Sequence, residues 1–173
     1  QEYVAERLPG KNFTFTADAN RTFGIEIEFK STRGAYEIAE MLTAAGIETM
    51  STGYTHVCTD YWKIVTDASV SGGWELVSPP LAYNEASFAQ IETVSRVLTG
   101  LGARIDRQCG LHVHHHAGDL TIAQIGKVLA LYAKHETFID AMMPASRRAT
   151  ANCYCQSLNI RGDVARPAEA FAA

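Results

Sequence analysis

Between residues 23 and 29 the chain alternates strictly, with Phe23, Ile25, Ile27 and Phe29 apolar and Gly24, Glu26 and Glu28 between them. A period of two is the signature of a strand with one dry and one wet face. The four apolar side chains then face a core, and Glu26 and Glu28 share the opposite side. Their Cα atoms lie roughly 6.5–7 Å apart on such a strand. Two carboxylates at that range repel by about 0.6 kcal/mol in water, and by about 2.4 kcal/mol at an effective dielectric of 20. An open face tolerates the pair; a sheltered one needs a cation, or keeps one acid protonated.

The same patterning divides the rest of the chain. Phe13-Thr14-Phe15 predicts a short strand. Helical spacing predicts a helix over 35–45, with Ile38, Met41, Leu42 and Ala45 on one stripe and Gly46 as its stop. Residues 47–60 show no clear period, and Ser51-Thr52-Gly53 reads as a turn. Strands follow at 62–66 and 74–78, joined through Ser71-Gly72-Gly73 into a hairpin and ended by Pro79-Pro80. A second helix is expected over 84–98, carrying Phe88, Ile91, Val94, Val97 and Leu98. A short extended piece at 103–106 and a strand at 111–116 come next. Thr121 and Gln124 have the spacing of a capping box. They open a helix over 122–141 with Ile125, Leu129, Tyr132 and Ile139 on its apolar side. The tail, 163–173, is Ala-rich and aperiodic. Strands and helices do not alternate one for one, which predicts an α+β fold: an antiparallel or mixed sheet with helices on one face.

Composition narrows the class only a little. A chain of 173 residues, 47% hydrophobic and 20% charged, suits one globular domain with a sizeable core. With a net charge of -4 and scattered Lys and Arg, there is no basic stripe to meet a nucleic acid. No run of about 18 apolar residues suggests a membrane span. The four cysteines, Cys58, Cys109, Cys153 and Cys155, lack the spacing of a zinc or redox knuckle and are expected as reduced thiols of a cytoplasmic protein. A start at Gln1 suggests a trimmed or processed chain.

Four polar clusters fall on or just after expected strands: Glu26 with Glu28, Asp67 with Ser69, Glu75, and His112 with His114. Each alone also reads as a solvated face, a turn or a strand end. Histidines two apart on a strand point the same way, as the glutamates do. If the faces coincide, carboxylates and imidazoles converge into an oxygen-rich site suited to Mg²⁺ or Mn²⁺. His56 and His135 are assigned to surface or core structure.

The ordered set Phe23-Gly24-Ile25-Glu26-Ile27-Glu28-Phe29, Asp67-Ala68-Ser69, Glu75-Leu76-Val77-Ser78-Pro79-Pro80 and Cys109-Gly110-Leu111-His112-Val113-His114 resembles the putative amidoligase family. Pro144-Ala145-Ser146-Arg147-Arg148 and Tyr154-Cys155 extend the resemblance, which runs over 23–155, between an N-terminal segment 1–22 and a tail 156–173. The family is grouped with the carboxylate–amine ligases of the glutamine synthetase and glutamate–cysteine ligase superfamily. The resemblance implies a curved, mainly antiparallel sheet whose concave face binds ATP and Mg²⁺ or Mn²⁺. It implies Glu26, Glu28, Glu75 and His112 as metal ligands and His114 near the nucleotide or metal. It also implies Asp67 and Ser69 at the substrate end, and Arg147 or Arg148 on phosphate. The activity implied is ATP-dependent amide formation on a small molecule or peptide, through an acyl phosphate, in a chain that can oligomerise. The family pattern continues with a strand bearing a Glu-x-Arg-type motif, absent up to Ala173, so either the chain is a fragment or that part is disordered, supplied by a partner or lost. Two other readings stay open: a divalent-metal hydrolase using His112 and His114, and a non-catalytic nucleotide-binding domain.

Overall fold

A computed structural model describes residues 21–148 and 155–158. The expected strand at 13–15, Tyr154 and the Ala-rich tail lie outside the described residues. The chain divides into two compact units, Gln1–His115 and His116–Ala173.

The first unit is α+β. Its strands are β1 (Thr22–Lys30), β2 (Thr49–Ser51), β3 (Trp62–Val65), β4 (Gly73–Val77), β5 (Leu81–Ala82) and β6 (Leu111–His115), with helices α1 (Ala35–Ala44) and α2 (Glu85–Gly100). All six strands join one open sheet, and β1 is its hub. On one side β1 pairs antiparallel with β4 and then with β5; on the other it pairs antiparallel with β6. Beyond β4 lie β3, antiparallel, and β2, parallel to β3. Pro79 has no N–H to offer a ladder, and Ser78 closes the gap. Its N–H donates to the Ile25 carbonyl, and its hydroxyl accepts the Ile25 N–H, both at 2.9 Å.

Alternation along β1 sorts the two faces. Phe23, Ile25 and Phe29 are buried in one core cluster with Ile64, Trp62 and Leu76 from β3 and β4. The same cluster takes Ile38 and Leu42 of α1 and Val94 and Leu98 of α2. Both helices follow their expected ranges closely. Asn84 caps α2, its side chain accepting the Ser87 N–H at 2.9 Å. Gly46 ends α1 at φ 88°, a conformation costly for a residue with a Cβ. The stripe of α1 is shifted from its expected residues. Ala35, Ile38, Ala39 and Leu42 are buried, whereas Met41 and Ala45 face outward. The spacing i, i+3, i+4, i+7 selects the first set and leaves Met41 on its edge. Likewise Phe88 of α2 is exposed; it stacks on Phe23, with Tyr83 edge-on to both.

Among its described residues the second unit contains α3 (Ile122–Met142) and a 3₁₀ turn (Ala145–Arg147). The capping box forms as the spacing predicts: the Thr121 hydroxyl accepts the Gln124 N–H, and the Gln124 side chain accepts the Thr121 N–H. The expected apolar side of α3 is not buried; Ile125, Leu129 and Tyr132 are all exposed. Glu136 is buried instead, accepting the Ser157 hydroxyl at 2.7 Å and the Leu158 N–H at 2.9 Å. Among the described residues no helix is long and apolar enough to cross a membrane.

Gly73, where β4 begins opposite Lys30, is a steric requirement. A Cβ there would lie 2.5 Å from both the Phe29 carbonyl oxygen and Val70 Cγ1. Gly73→Ala is therefore expected to cost about 1–3 kcal/mol. Gly100→Ala, where nothing lies within 4 Å, should be neutral or gain up to about 1 kcal/mol. Urea unfolding of the two variants measures both.

Candidate metal and ligation site

The polar side of the sheet is built by register. Glu28 stands directly opposite Glu75 across the β1–β4 ladder, and Glu26 opposite His112 across β1–β6. Gly24 faces His114. Like charges directly opposite on neighbouring strands destabilise a sheet, so this face carries a standing electrostatic cost. The structure thus brings Glu26, Glu28, Glu75, His112 and His114 to one side of three adjacent strands. Asp67 and Ser69 join them from the turn after β3.

Glu26 is the link to the histidines. One of its oxygens, Oε2, lies 3.1 Å from His112 Nδ1 and 3.2 Å from His114 Nε2. Burial pushes the Glu26 carboxyl up, but the hydrogen bonds and positive potential of the two imidazoles outweigh it and hold the group below its ordinary range.

Glu28 is buried and held by backbone. Its own N–H donates to the Gly110 carbonyl at 3.0 Å, and the Gly110 N–H returns a bond to its carboxylate Oε2. The Ser69 hydroxyl approaches Oε1 at 3.5 Å. Gly110 has to be small. A Cβ there would lie 2.9 Å from His112 Nε2 and 3.2 Å from Glu28 Oε2.

Glu75 has no such support. Burial, with the negative charges of Glu26, Asp67 and Glu28, pushes its carboxyl up to about 7. Asp67 is the reverse case. The Ser69 hydroxyl and N–H, the latter 2.5 Å from Asp67 Oδ1, hold its carboxyl low.

Two donor sets follow, Glu26–Glu75–His112 and Glu28–Asp67–Glu75, each with ligand atoms within 4.8 Å of one another. Glu75 belongs to both. The residues fit a hard divalent cation: carboxylate oxygens dominate and no thiolate takes part. The raised Glu75 carboxyl supports this fit, because a bound cation is what would let all three acids ionise together.

Two lysines brace the site and escape a sequence reading. Lys30, next after Glu28 on the same side of β1, donates to the Ser71 carbonyl and, at 2.6 Å, to Gln108 Oε1. It ties the turn before β4 to the loop before β6. Lys63 of β3 is buried on this side too. Their signal was present, since both occupy polar-side positions of alternating strands. Gly110 left no such signal, because a required glycine shows itself only where two backbones meet.

Arg147 and Arg148 belong to the second unit. Arg147 ends the 3₁₀ turn. The Arg148 guanidinium donates to the carbonyls of Met143 and Ala141, at the C-terminal end of α3, where a cation meets the negative end of the helix dipole.

A family model described as a putative amidoligase enzyme matches residues 19–161. It is the family that residues 23–155 resemble. No curated protein and no solved structure matches the chain.

The Glu75 carboxyl makes a stability prediction. Its folded value, about 7, lies above the ordinary 4.5, so the metal-free folded state binds the extra proton between those limits. Stability from this group is full below about 4.5 and is lost as pH rises through about 7. Glu26 and Asp67, held low, act in the opposite sense and only in the acid range, below their ordinary 4.5 and 3.8. In chelator, Glu75→Gln should therefore unfold at a higher urea midpoint than the parent chain at about pH 8, and the two should converge at about pH 5. Saturating Mn²⁺ should stabilise the parent chain most at the higher pH, where binding no longer has to displace a proton.

Proposed function

We propose that this chain, which belongs to the putative amidoligase enzyme family, joins a carboxylate to an amine with ATP through an acyl phosphate. The observation that carries this reading is the cluster of Glu26, Glu28 and Glu75 with His112 on one side of the sheet, with the Glu75 carboxyl raised by burial and then by its neighbours' charge. Such a cluster is a costly thing to fold unless a cation and its anionic ligands use it.

Both substrates of the first step are anions, so they repel each other and the acidic site alike. Magnesium or manganese held by Glu26, Glu28, Glu75 and His112 would screen ATP from the attacking carboxylate and stabilise charge on the transferring phosphoryl group. The chain's own residues then have distinct tasks. Gly110 fixes the Glu28 carboxylate and Glu26 fixes the two imidazoles, so the donors are ordered before binding, which lowers the entropic cost. His114 is at hand for the nucleotide beside them. Asp67, kept ionised by Ser69, attracts the amine in its ammonium form.

In the first step an oxygen of the substrate carboxylate bonds to the γ-phosphorus, and the bond to ADP breaks. In the second the amine, having lost a proton, attacks the acyl carbon; phosphate leaves and an amide remains. The substrate is a small molecule or peptide bearing these groups, rather than a nucleic acid or a membrane, and ATP use suits a cytoplasmic setting. The sheet, open rather than curved as the resemblance implied, is read as the catalytic sheet of a glutamine synthetase-like fold, with completion by a second copy of the chain allowed.

Calorimetric titration of ATP tests the reading. Binding should require Mg²⁺, vanish in chelator, and fall by at least about tenfold in Glu28→Ala, the loss expected for one charged ligand. Phosphate release should need both a carboxylate and an amine. Equal ATP affinity with metal chelated and Glu28 replaced would overturn it.

A further inference from the structure

Lys63 is a buried cation that the chemistry above does not use. It is 4% exposed. It shares the register row Lys63–Val77–Glu26–His112, so its side chain leaves the sheet on the side of the carboxylates. There it is covered by the segment 52–61, which links the parallel strands β2 and β3 without a helix. Its Nζ donates to the Thr55 carbonyl at 3.2 Å and the Val57 carbonyl at 2.6 Å. Burying an ammonium is costly unless its bonds are made, and here both bonds go to the backbone of this one connection.

The residue between the two held carbonyls is His56. Its Nε2 is 2.7 Å from the Tyr54 hydroxyl, and the two rings meet edge to face with centroids 4.9 Å apart. Both side chains are exposed and contribute nothing to the core cluster. The segment that carries this pair lies over Lys63, and Lys63 leaves the sheet on the same side as Val65, the register partner of Glu75. An exposed Tyr–His pair is thus held through its backbone by a buried lysine, on the side of the sheet that carries Glu26 and Glu75.

We propose that residues 52–60 form the substrate-selecting wall of the site, with Lys63 as its positioning residue and Tyr54 and His56 as contacts for the amine-bearing substrate. The proposal rests on the ligase reading for the name of that substrate. The chemistry selects a primary ammonium over an anion. Asp67 attracts a cation, the Tyr54 ring offers its negative face, and the Tyr54–His56 pair, which spends one donor and one acceptor on its own bond, leaves an acceptor for an N–H. ATP and the substrate carboxylate, both anionic, are repelled from Asp67 and left to the metal-binding carboxylates and histidines.

The test uses the full chain with Mg²⁺ bound, titrated with n-propylammonium and, separately, with propionate, and followed by the imidazole proton resonances. Saturable binding of propylammonium that shifts a resonance absent from His56→Ala is expected. His56→Ala and Lys63→Met should each weaken it by about tenfold or more, while Lys63→Arg restores part of it and the Mg²⁺ affinity of His56→Ala stays that of the parent. In turnover, Lys63→Met should raise KM for the amine and leave KM for ATP unchanged. His56→Ala and Tyr54→Phe alter exposed side chains, so they keep the question open to decision if Lys63→Met does not fold. Propionate shifting the His56 resonance in preference to propylammonium, or equal propylammonium affinity in parent and His56→Ala, overturns the proposal. So does loss of Mg²⁺ binding in His56→Ala, which would make the wall purely structural. The ligase reading fails on a different result, the absence of any ATP-dependent phosphate release by the parent chain, which leaves these binding measurements intact.

Discussion

Two carboxylates facing each other across the β1–β4 ladder set the terms for the rest of the structure. Glu28 and Glu75 are register partners on neighbouring strands, and neither can turn away, because the other side of each strand is committed to the core. Phe29 and Leu76, their sequence neighbours, are almost wholly buried. Slipping the register by one residue would relieve the repulsion only by moving every apolar side chain to the wrong face. The hydrophobic pattern therefore holds the acids together, and the electrostatic strain it creates falls on Glu75, the member with least hydrogen-bond support.

Support is distributed unequally for a physical reason. Glu28 gains a backbone N–H from Gly110, Glu26 gains two imidazoles, and Asp67 gains the hydroxyl and N–H of Ser69. Glu75 is left in the middle of them, surrounded by their charge. A face arranged so is poised for cation binding, since one ion near Glu75 relieves several repulsions at once. The same arrangement accounts for the two lysines at its margins. Lys30 and Lys63 do not pair with the central acids. They spend their donors chiefly on loop carbonyls and a glutamine amide, and so fix the walls while leaving the negative field in place.

Much of this was legible in the chain. Alternation in 23–29, the Pro79-Pro80 stop, the cap at Asn84 and the Thr121–Gln124 box all act within a few residues, where local sterics and hydrogen bonding decide the outcome. The polar clusters were legible as well, because side-chain direction on a strand follows from its period of two. The elements that went unseen are short or sit at boundaries. β2 and β5 span three and two residues, too few for any period to appear, and they exist because neighbouring strands offer them a ladder. On α3 the apolar spacing predicted a buried side, yet the buried polar residue is Glu136, satisfied by Ser157 and Leu158 from well along the chain. No local pattern announces a partner at that separation.

The sequence by itself determined which residues of each strand and helix share a side, since that depends only on backbone periodicity and on excluding apolar groups from water. It determined the family too, through an ordered set of short motifs. Only the tertiary structure decided that β1 lies between β4 and β6, and hence that Glu75 faces Glu28 while His112 faces Glu26. It alone brought Gly110 to within a hydrogen bond of a carboxylate 82 residues earlier in the chain, and laid the 52–61 connection over Lys63. Those outcomes depend on strand order and register, which arise when distant segments compete for the same core and the same backbone hydrogen bonds.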